Sequence, residues 1–405
     1  MTNANQTYSR RKALRHLTAF AAASPFAGGQ FDLPDPRERI PPIDDLVNVF
    51  EFEPIMKARI PKQAYDYVAG GVDQEWSLRH NREAFDKITL RPRMLVNVSN
   101  LDLSTTLFGD KINFPILICP TAGHGAIHPD GELATAKAAA SMQTIMILST
   151  NSSQPYEKVA AATNFPKWFQ LYPGPDLEGT WERVERAKSS GFKAIALTVD
   201  AGYNSHRERL LRNRLRGQTP PGVNSPQTRR RRTLEEEETV SKSRPAYYGL
   251  TTTLMHQLDW SFYDTLKKRA GMPVLVKGIL TAEDAALAVR HGADGIVISN
   301  HGARYLDYAP ATIEVLPEIV QAVNRKCPIL IDSGFRRGTD VLKALCLGAT
   351  AVSVGRPPLW GLGAYGEAGV KRVLELLRTE LALAMGLSGK VNLSQLDRTL
   401  LKMRP

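Results

Sequence analysis

Residues 273–300 read PVLVKGILTAEDAALAVRHGADGIVISN. The stretch opens with an apolar run, PVLVKGI. A polar turn follows, then AEDAALAVRHG, whose apolar residues recur at helical spacing and which ends at glycine, as helix C-termini often do. A second apolar run, GIVISN, closes it. Both runs are continuous rather than alternating, the pattern of parallel strands covered by helices on their outer side. Working outward, the same unit recurs from residue 115. Its apolar runs are PILICPTA (115–122), IMILST (145–150), KWFQLYP (167–173), AIALTVD (194–200), PVLVKGI (273–279), GIVISN (295–300), PILIDSG (328–334) and AVSVGRP (351–357). Amphipathic stretches such as GELATAKAAASMQT, GTWERVERAKSSG and GTDVLKALCLG lie between them. Eight such units predict an α/β fold closed as a (β/α)8 barrel, with an open doubly wound sheet as the alternative.

Two pieces stand outside the repeat. Residues 42–114 precede the first barrel strand and are expected to form helices packed at one end. Residues 201–258 interrupt the fourth unit, and a loop of that length suggests a mobile lid over the site. Its runs Arg229–Arg232 and Glu235–Glu238 compensate each other, the mark of a solvated segment. Residues 8–29, YSRRKALRHLTAFAAASPFAGG, resemble a twin-arginine export signal with Arg10 and Arg11 as the pair; a basic tail is the other reading. The domain plan is a tail over 1–40 and a barrel over 41–405. Export and a cytoplasmic location both stay open.

Composition narrows the class. The chain has 405 residues, 43% hydrophobic and 23% charged, which is a globular make-up. No apolar run approaches the roughly 18–20 residues of a membrane span. The net charge of +11 sits in blocks with no nucleic-acid-binding motif, so no nucleic-acid partner is expected. Cys119, Cys327 and Cys346 have neither disulfide nor metal spacing, and Cys119 and Cys327, bordering apolar runs, read as buried thiols; no metal site is expected.

A barrel carries its site at the C-terminal ends of its strands, and polar residues collect there. The strand ends supply Thr121 and Ala122; Ser149, Thr150 and Asn151; Gln170 and Tyr172; Thr198 and Asp200, with Arg207 soon after; Lys277; Ser299 and His301, with Arg304; Asp332, Ser333 and Gly334, with Arg336; and Gly355 and Arg356. Taken singly, each has a structural reading, such as a helix cap. Eight strands converging on one rim do not. The turns after strands 7 and 8 suit a phosphate, with Arg336 or Arg356 pairing to it. Lys277 suits negative charge on a cofactor ring. Arg207 and Arg304 can clamp a carboxylate. His301 can take a proton, oriented by Asp200. Tyr67 and Tyr172 can each donate a phenol hydrogen bond.

YDYVAGGVDQEWSLRHNREAFDKI, FQLY, ALTVD, LVKGILTAEDAALAV, SNHGARYLD, DSGFRRGTDVLKAL and EAGVKRVLELLRTEL, in that order, resemble segments of the FMN-dependent (S)-2-hydroxy-acid oxidase and dehydrogenase family over about residues 42–395. The resemblance implies His301 as base with Asp200 as its partner. It implies Arg207 and Arg304, helped by Tyr67, on the substrate carboxylate, and Tyr172 on the substrate hydroxyl. FMN would lie on Thr121, Ala122, Ser149, Gln170, Thr198, Lys277 and Ser299. Its phosphate would meet the backbone after Asp332, at Ser333 and Gly334, together with Gly355 and the side chains of Arg336 and Arg356. A small 2-hydroxy acid, a second acceptor (oxygen, or a quinone or cytochrome) and a homotetramer are implied as partners. No haem CxxCH motif is present, so the flavocytochrome branch is excluded. Glycolate oxidases have an aromatic residue near Asn151. GHGAIHPDGE (123–132) is closer to lactate- and mandelate-acting members, and L-lactate is the favoured substrate. The alternatives are a non-redox FMN barrel, such as an isomerase, and a non-catalytic flavin-binding protein.

Overall fold

The computed structural model describes residues 40–174, 176–203, 205–216 and 257–404. The twin-arginine stretch and most of the 201–258 insertion lie outside the described residues. Eight parallel strands close into a barrel: β1 (Ile116–Ile118), β2 (Met146–Ser149), β3 (Lys167–Leu171), β4 (Ile195–Thr198), β5 (Val274–Ile279), β6 (Gly295–Ile298), β7 (Ile329–Ile331) and β8 (Ala351–Val354), with β8 pairing to β1. Each lies inside the run expected for it.

Between consecutive strands run helices whose ends are chemically marked. Asp176, Asp259 and Thr281 cap Leu177–Ser189, Trp260–Ala270 and Ala282–Arg290 by accepting from the N–H groups of Gly179, Phe262 and Asp284. Gly271, at φ 65°, ends the second of these in the left-handed conformation. After β8 the chain forms Arg356–Leu387, 32 residues long, broken at Tyr365 and Gly366.

Side-chain alternation sorts each strand into layers. Residues pointing outward, such as Ile116, Leu148, Phe169, Ile195, Val276 and Ile331, belong to the large core under the helices. Leu117, Ile147, Trp168, Ala196, Leu275, Val297, Leu330 and Ala351 point inward and fill the lower barrel. Two residues further along the same eight strands stand Cys119, Ser149, Gln170, Thr198, Lys277, Ser299, Asp332 and Ser353, all buried. The barrel interior therefore changes from a dry layer to a polar one in a single step, toward the strands' C-terminal ends.

The segment before the barrel is only partly helical. Phe52–Arg59, Lys62–Ala69 and Trp76–Glu83 are helices. Thr105–Leu107 and Asp110–Ile112 form a hairpin instead, turning through Phe108 (φ 50°) and Gly109 (φ 88°). Two positive φ values match the twist of a tight hairpin. Leu107 and Ile112 join the lower inner layer, closing the barrel's bottom. Ile88–Leu90 pairs antiparallel with Leu401–Met403, tying the segment before the barrel to the end of the described chain.

Candidate active site

Apart from Ser353 Oγ, the polar layer satisfies itself by hydrogen bonds, as buried polar groups mostly do. Ser149 Oγ donates to Gln170 Oε1 (3.1 Å), and Gln170 Nε2 donates to Thr198 Oγ1 (2.9 Å). Lys277 Nζ donates to Ser299 Oγ (3.0 Å), which donates to Asp332 Oδ1 (2.7 Å). Ser333 Oγ reaches the same oxygen at 2.7 Å, while Cys119 Sγ donates to Asp332 Oδ2 at 3.3 Å. Lys277 Nζ lies 3.6 Å from that second oxygen. Burial works against a charged lysine, but Asp332 and Asp200 outweigh it and hold the Lys277 pKa above its ordinary value.

Strand β6 leads into a loop with three successive positive φ values: His301 at 56°, Gly302 at 63° and Ala303 at 60°. Such a run is costly for residues with a Cβ, and the surroundings hold it. His301 N donates to Ser299 Oγ (3.0 Å), Gly302 N to Ser333 Oγ (3.1 Å) and Ala303 N to Asn300 Oδ1 (3.1 Å). Asn300 is locked in turn by a reciprocal amide pair with Asn81, at 3.0 and 2.8 Å. Further along, Asp307 caps the helix bearing Asn81, accepting from Trp76 N (3.2 Å) and Ser77 N (2.8 Å). The helix before the barrel thus braces the loop from both ends.

His301 is thereby set with Nδ1 2.9 Å from Asp200 Oδ1 and Nε2 3.1 Å from the Tyr172 hydroxyl. Tyr305 packs edge-on against the imidazole, ring centres 4.6 Å apart. Burial pushes the His301 pKa below its ordinary value, and Lys277 pushes the same way against the pull of Asp200, so the resting imidazole is neutral. Burial alone would raise the Asp200 carboxyl; His301 and Lys277 bring it below its ordinary value. Asp200 packs against a bulge in β5 at Gly278 (φ 114°), where an added Cβ would come within 2.7 Å of Asp200 Cβ.

Four arginines face the same cavity, which encloses about 310 Å³. Arg207 and Arg304 flank Tyr67, their guanidinium carbons 6.0 and 4.8 Å from its ring centre. Arg304 is anchored by donating to the Tyr67 carbonyl at 2.6 Å. Arg207 Nε is buried without a protein partner. Arg336 lies over the Trp360 ring, and Arg356 donates to the carbonyls of Val68, Gly302 and Gly70. Burial, then mutual repulsion, brings Arg304 down to about 9 and Arg336 and Arg356 down to about 10. Arg304 and Arg356 both donate to the Gly70 carbonyl, so the four guanidiniums gather in one cationic wall, the electrostatics of an anion-binding cavity.

Of the residues singled out from sequence, Tyr67, Thr121, Ala122, Ser149, Gln170, Tyr172, Thr198, Arg207, Lys277, His301, Arg304, Asp332, Ser333, Gly334, Arg336, Gly355 and Arg356 line this cavity. Asp200 and Ser299 stand just behind it, on His301 and on Lys277. Cys119, expected to be a buried thiol, is buried but also lies on the cavity wall. Ser353 and Tyr305 line it too and were not singled out. Strand parity would have found Ser353, two residues after Ala351; nothing in the apolar pattern marks Tyr305.

The cavity fits a flavin mononucleotide by its donor set: small residues after β7 and β8 with Arg336 and Arg356, a buried lysine on β5, and a histidine with Arg207 and Arg304. Buried Asp200 Oδ2, Arg207 Nε and Ser353 Oγ have no protein partner. The family model described as FMN-dependent dehydrogenase matches residues 56–403. The chain belongs to this family. Similar curated proteins include glycolate oxidase 1 of Zea mays, 46% identical over 358 residues, covering 87% of this chain and 95% of that protein. Glycolate oxidase of Spinacia oleracea is 44% identical, covering 88% and 95%. Among solved structures, a soluble mutant of the membrane-associated (S)-mandelate dehydrogenase of Pseudomonas putida aligns with TM-score 0.80 at 36% identity, covering 89% of this chain and all of that one. Membership makes the protein an FMN-dependent (S)-2-hydroxy-acid oxidising enzyme, with FMN as its cofactor. Among the described residues no helix is long and apolar enough to cross a membrane.

Proposed function

We propose that the protein oxidises a small L-2-hydroxy acid, L-lactate favoured, to the 2-oxo acid and passes the electrons to oxygen or to a respiratory acceptor. The observation that carries this reading is His301, neutral, fixed by Asp200 on one nitrogen and meeting the Tyr172 hydroxyl at the cavity wall with the other, beside two arginines flanking Tyr67. Bound FMN supplies a two-electron acceptor. The substrate carboxylate sits between Arg207 and Arg304, with the Tyr67 phenol as a further donor. Arg207 Nε gains the partner it lacks. Tyr172 hydrogen-bonds the substrate hydroxyl. His301 Nε2 takes the proton released as the α-carbon becomes a carbonyl, and Asp200 stabilises the imidazolium. The hydrogens on the α-carbon and its oxygen leave, the C=O bond forms, and two electrons leave with them. Lys277, kept charged, would stabilise negative charge on a flavin held in the cavity.

The test is anaerobic mixing of the yellow holoprotein with L-lactate while following flavin absorbance, then admitting air. Bleaching is expected. Fast recovery in air assigns oxygen as acceptor; slow recovery assigns a quinone or cytochrome. Intact flavin that no L-2-hydroxy acid bleaches overturns the reading.

A further inference from the structure

Arg207 and Arg304 follow β4 and β6. Across the barrel from them lie the ends of β1 and β2, where Asn151 lines the cavity, within the arc left for the remaining substituent of the α-carbon when a carboxylate lies between the two arginines. Asn151 is fixed there through its backbone. Its N–H donates to Ser149 Oγ at 3.1 Å, and the preceding Thr150 Oγ1 accepts from Tyr172 N at 2.9 Å. Its carboxamide, half-buried on the cavity wall, makes no hydrogen bond among the described residues. A carboxamide carries a donor and an acceptor together, the complement of a hydroxyl, and an alkyl group placed against it leaves both unmet.

We propose that the substrate class extends beyond L-lactate to L-2-hydroxy acids bearing a hydroxyl on C3, recognised by the Asn151 carboxamide and preferred to acids carrying a further alkyl group there. This rests on the function proposed above and deepens it. L-glycerate and L-2-hydroxybutyrate make the test, being near-equal in size and differing by a hydroxyl against a methyl at C3. Sites built to hydrogen-bond a hydroxyl reject the analogue lacking it far better than apolar pockets sort by size. The kcat/KM of the wild-type holoenzyme is expected to favour L-glycerate by about tenfold or more. Asn151→Leu, with flavin content checked, is expected to bring that ratio to about one or invert it. Oxidation of both acids with 2-hydroxybutyrate equal or better overturns this inference and leaves the proposed function standing. A ratio unchanged in both Asn151→Leu and Asn151→Ala removes Asn151 from the role. Failure of every L-2-hydroxy acid to bleach the flavin overturns the function reading, and this inference with it.

Discussion

At His301 two demands meet. A base must be neutral before it acts and stabilised once charged, and burial with Asp200 at 2.9 Å meets both. His301→Gln should keep FMN and lower the rate of flavin reduction by about 10³-fold or more, within the range for a general base. The pH dependence has a definite sign. With His301 as the base proposed above, catalysis needs the unprotonated imidazole, so kcat/KM should rise as pH rises through the free enzyme's His301 pKa, which lies below the ordinary histidine value. Asp200 pulls that pKa upward; Asp200→Asn should move the acid limb to lower pH while lowering the maximal rate, as a pH profile of kcat/KM will read. Tyr305 touches the same ring from its edge. Tyr305→Phe keeps that packing and should leave the flavin spectrum and the fold unchanged.

The elements around His301 explain why so odd a backbone persists. Three successive left-handed residues hold because Ser299, Ser333 and Asn300 each satisfy one of their N–H groups. Asn81 and Asp307 then lock the loop to the Trp76–Glu83 helix. Asp307→Ala removes two charge-assisted hydrogen bonds, one of them buried, and should cost about 1–3 kcal/mol, seen as a lowered melting temperature. The bulge at Gly278 plays the same part from β5. Gly278→Ala must move Asp200 or bend the strand, and about 10–100-fold of kcat should be lost with FMN still bound. Sequence shows these two elements unequally. The barrel strands are plain because continuous apolar runs recur with one spacing, and the polar residue closing each run points to the site. The bracing is hidden. Asn81 and Asp307 lie 219 residues from Asn300 and 230 from Ser77, and no local pattern couples such positions. The Thr105–Ile112 hairpin was masked by the helices before it.

At the scale of the whole molecule, the barrel trades stability for binding. Its lower interior is apolar and closed, while its upper interior carries a lysine, two aspartates and four arginines around one cavity. Like charges brought together out of water disfavour the folded state until anions join them. FMN supplies one such anion and the substrate another. Removing FMN should therefore lower the melting temperature, and returning it should restore the loss; at 100 times its dissociation constant a ligand adds about 2.7 kcal/mol. With Arg336 proposed to pair with the FMN phosphate, Arg336→Leu should weaken FMN binding about tenfold or more. Calorimetry with and without FMN reads both effects.

The most direct measurement is single-turnover flavin reduction, without oxygen, of wild-type and His301→Gln holoproteins by L-lactate and by D-lactate. Rapid bleaching of the wild type by the L isomer alone, with His301→Gln slower by about 10³-fold at equal flavin content, is the expected result. Bleaching of the variant at the wild-type rate would contradict it, because the proton would then be leaving by a route that does not pass through His301.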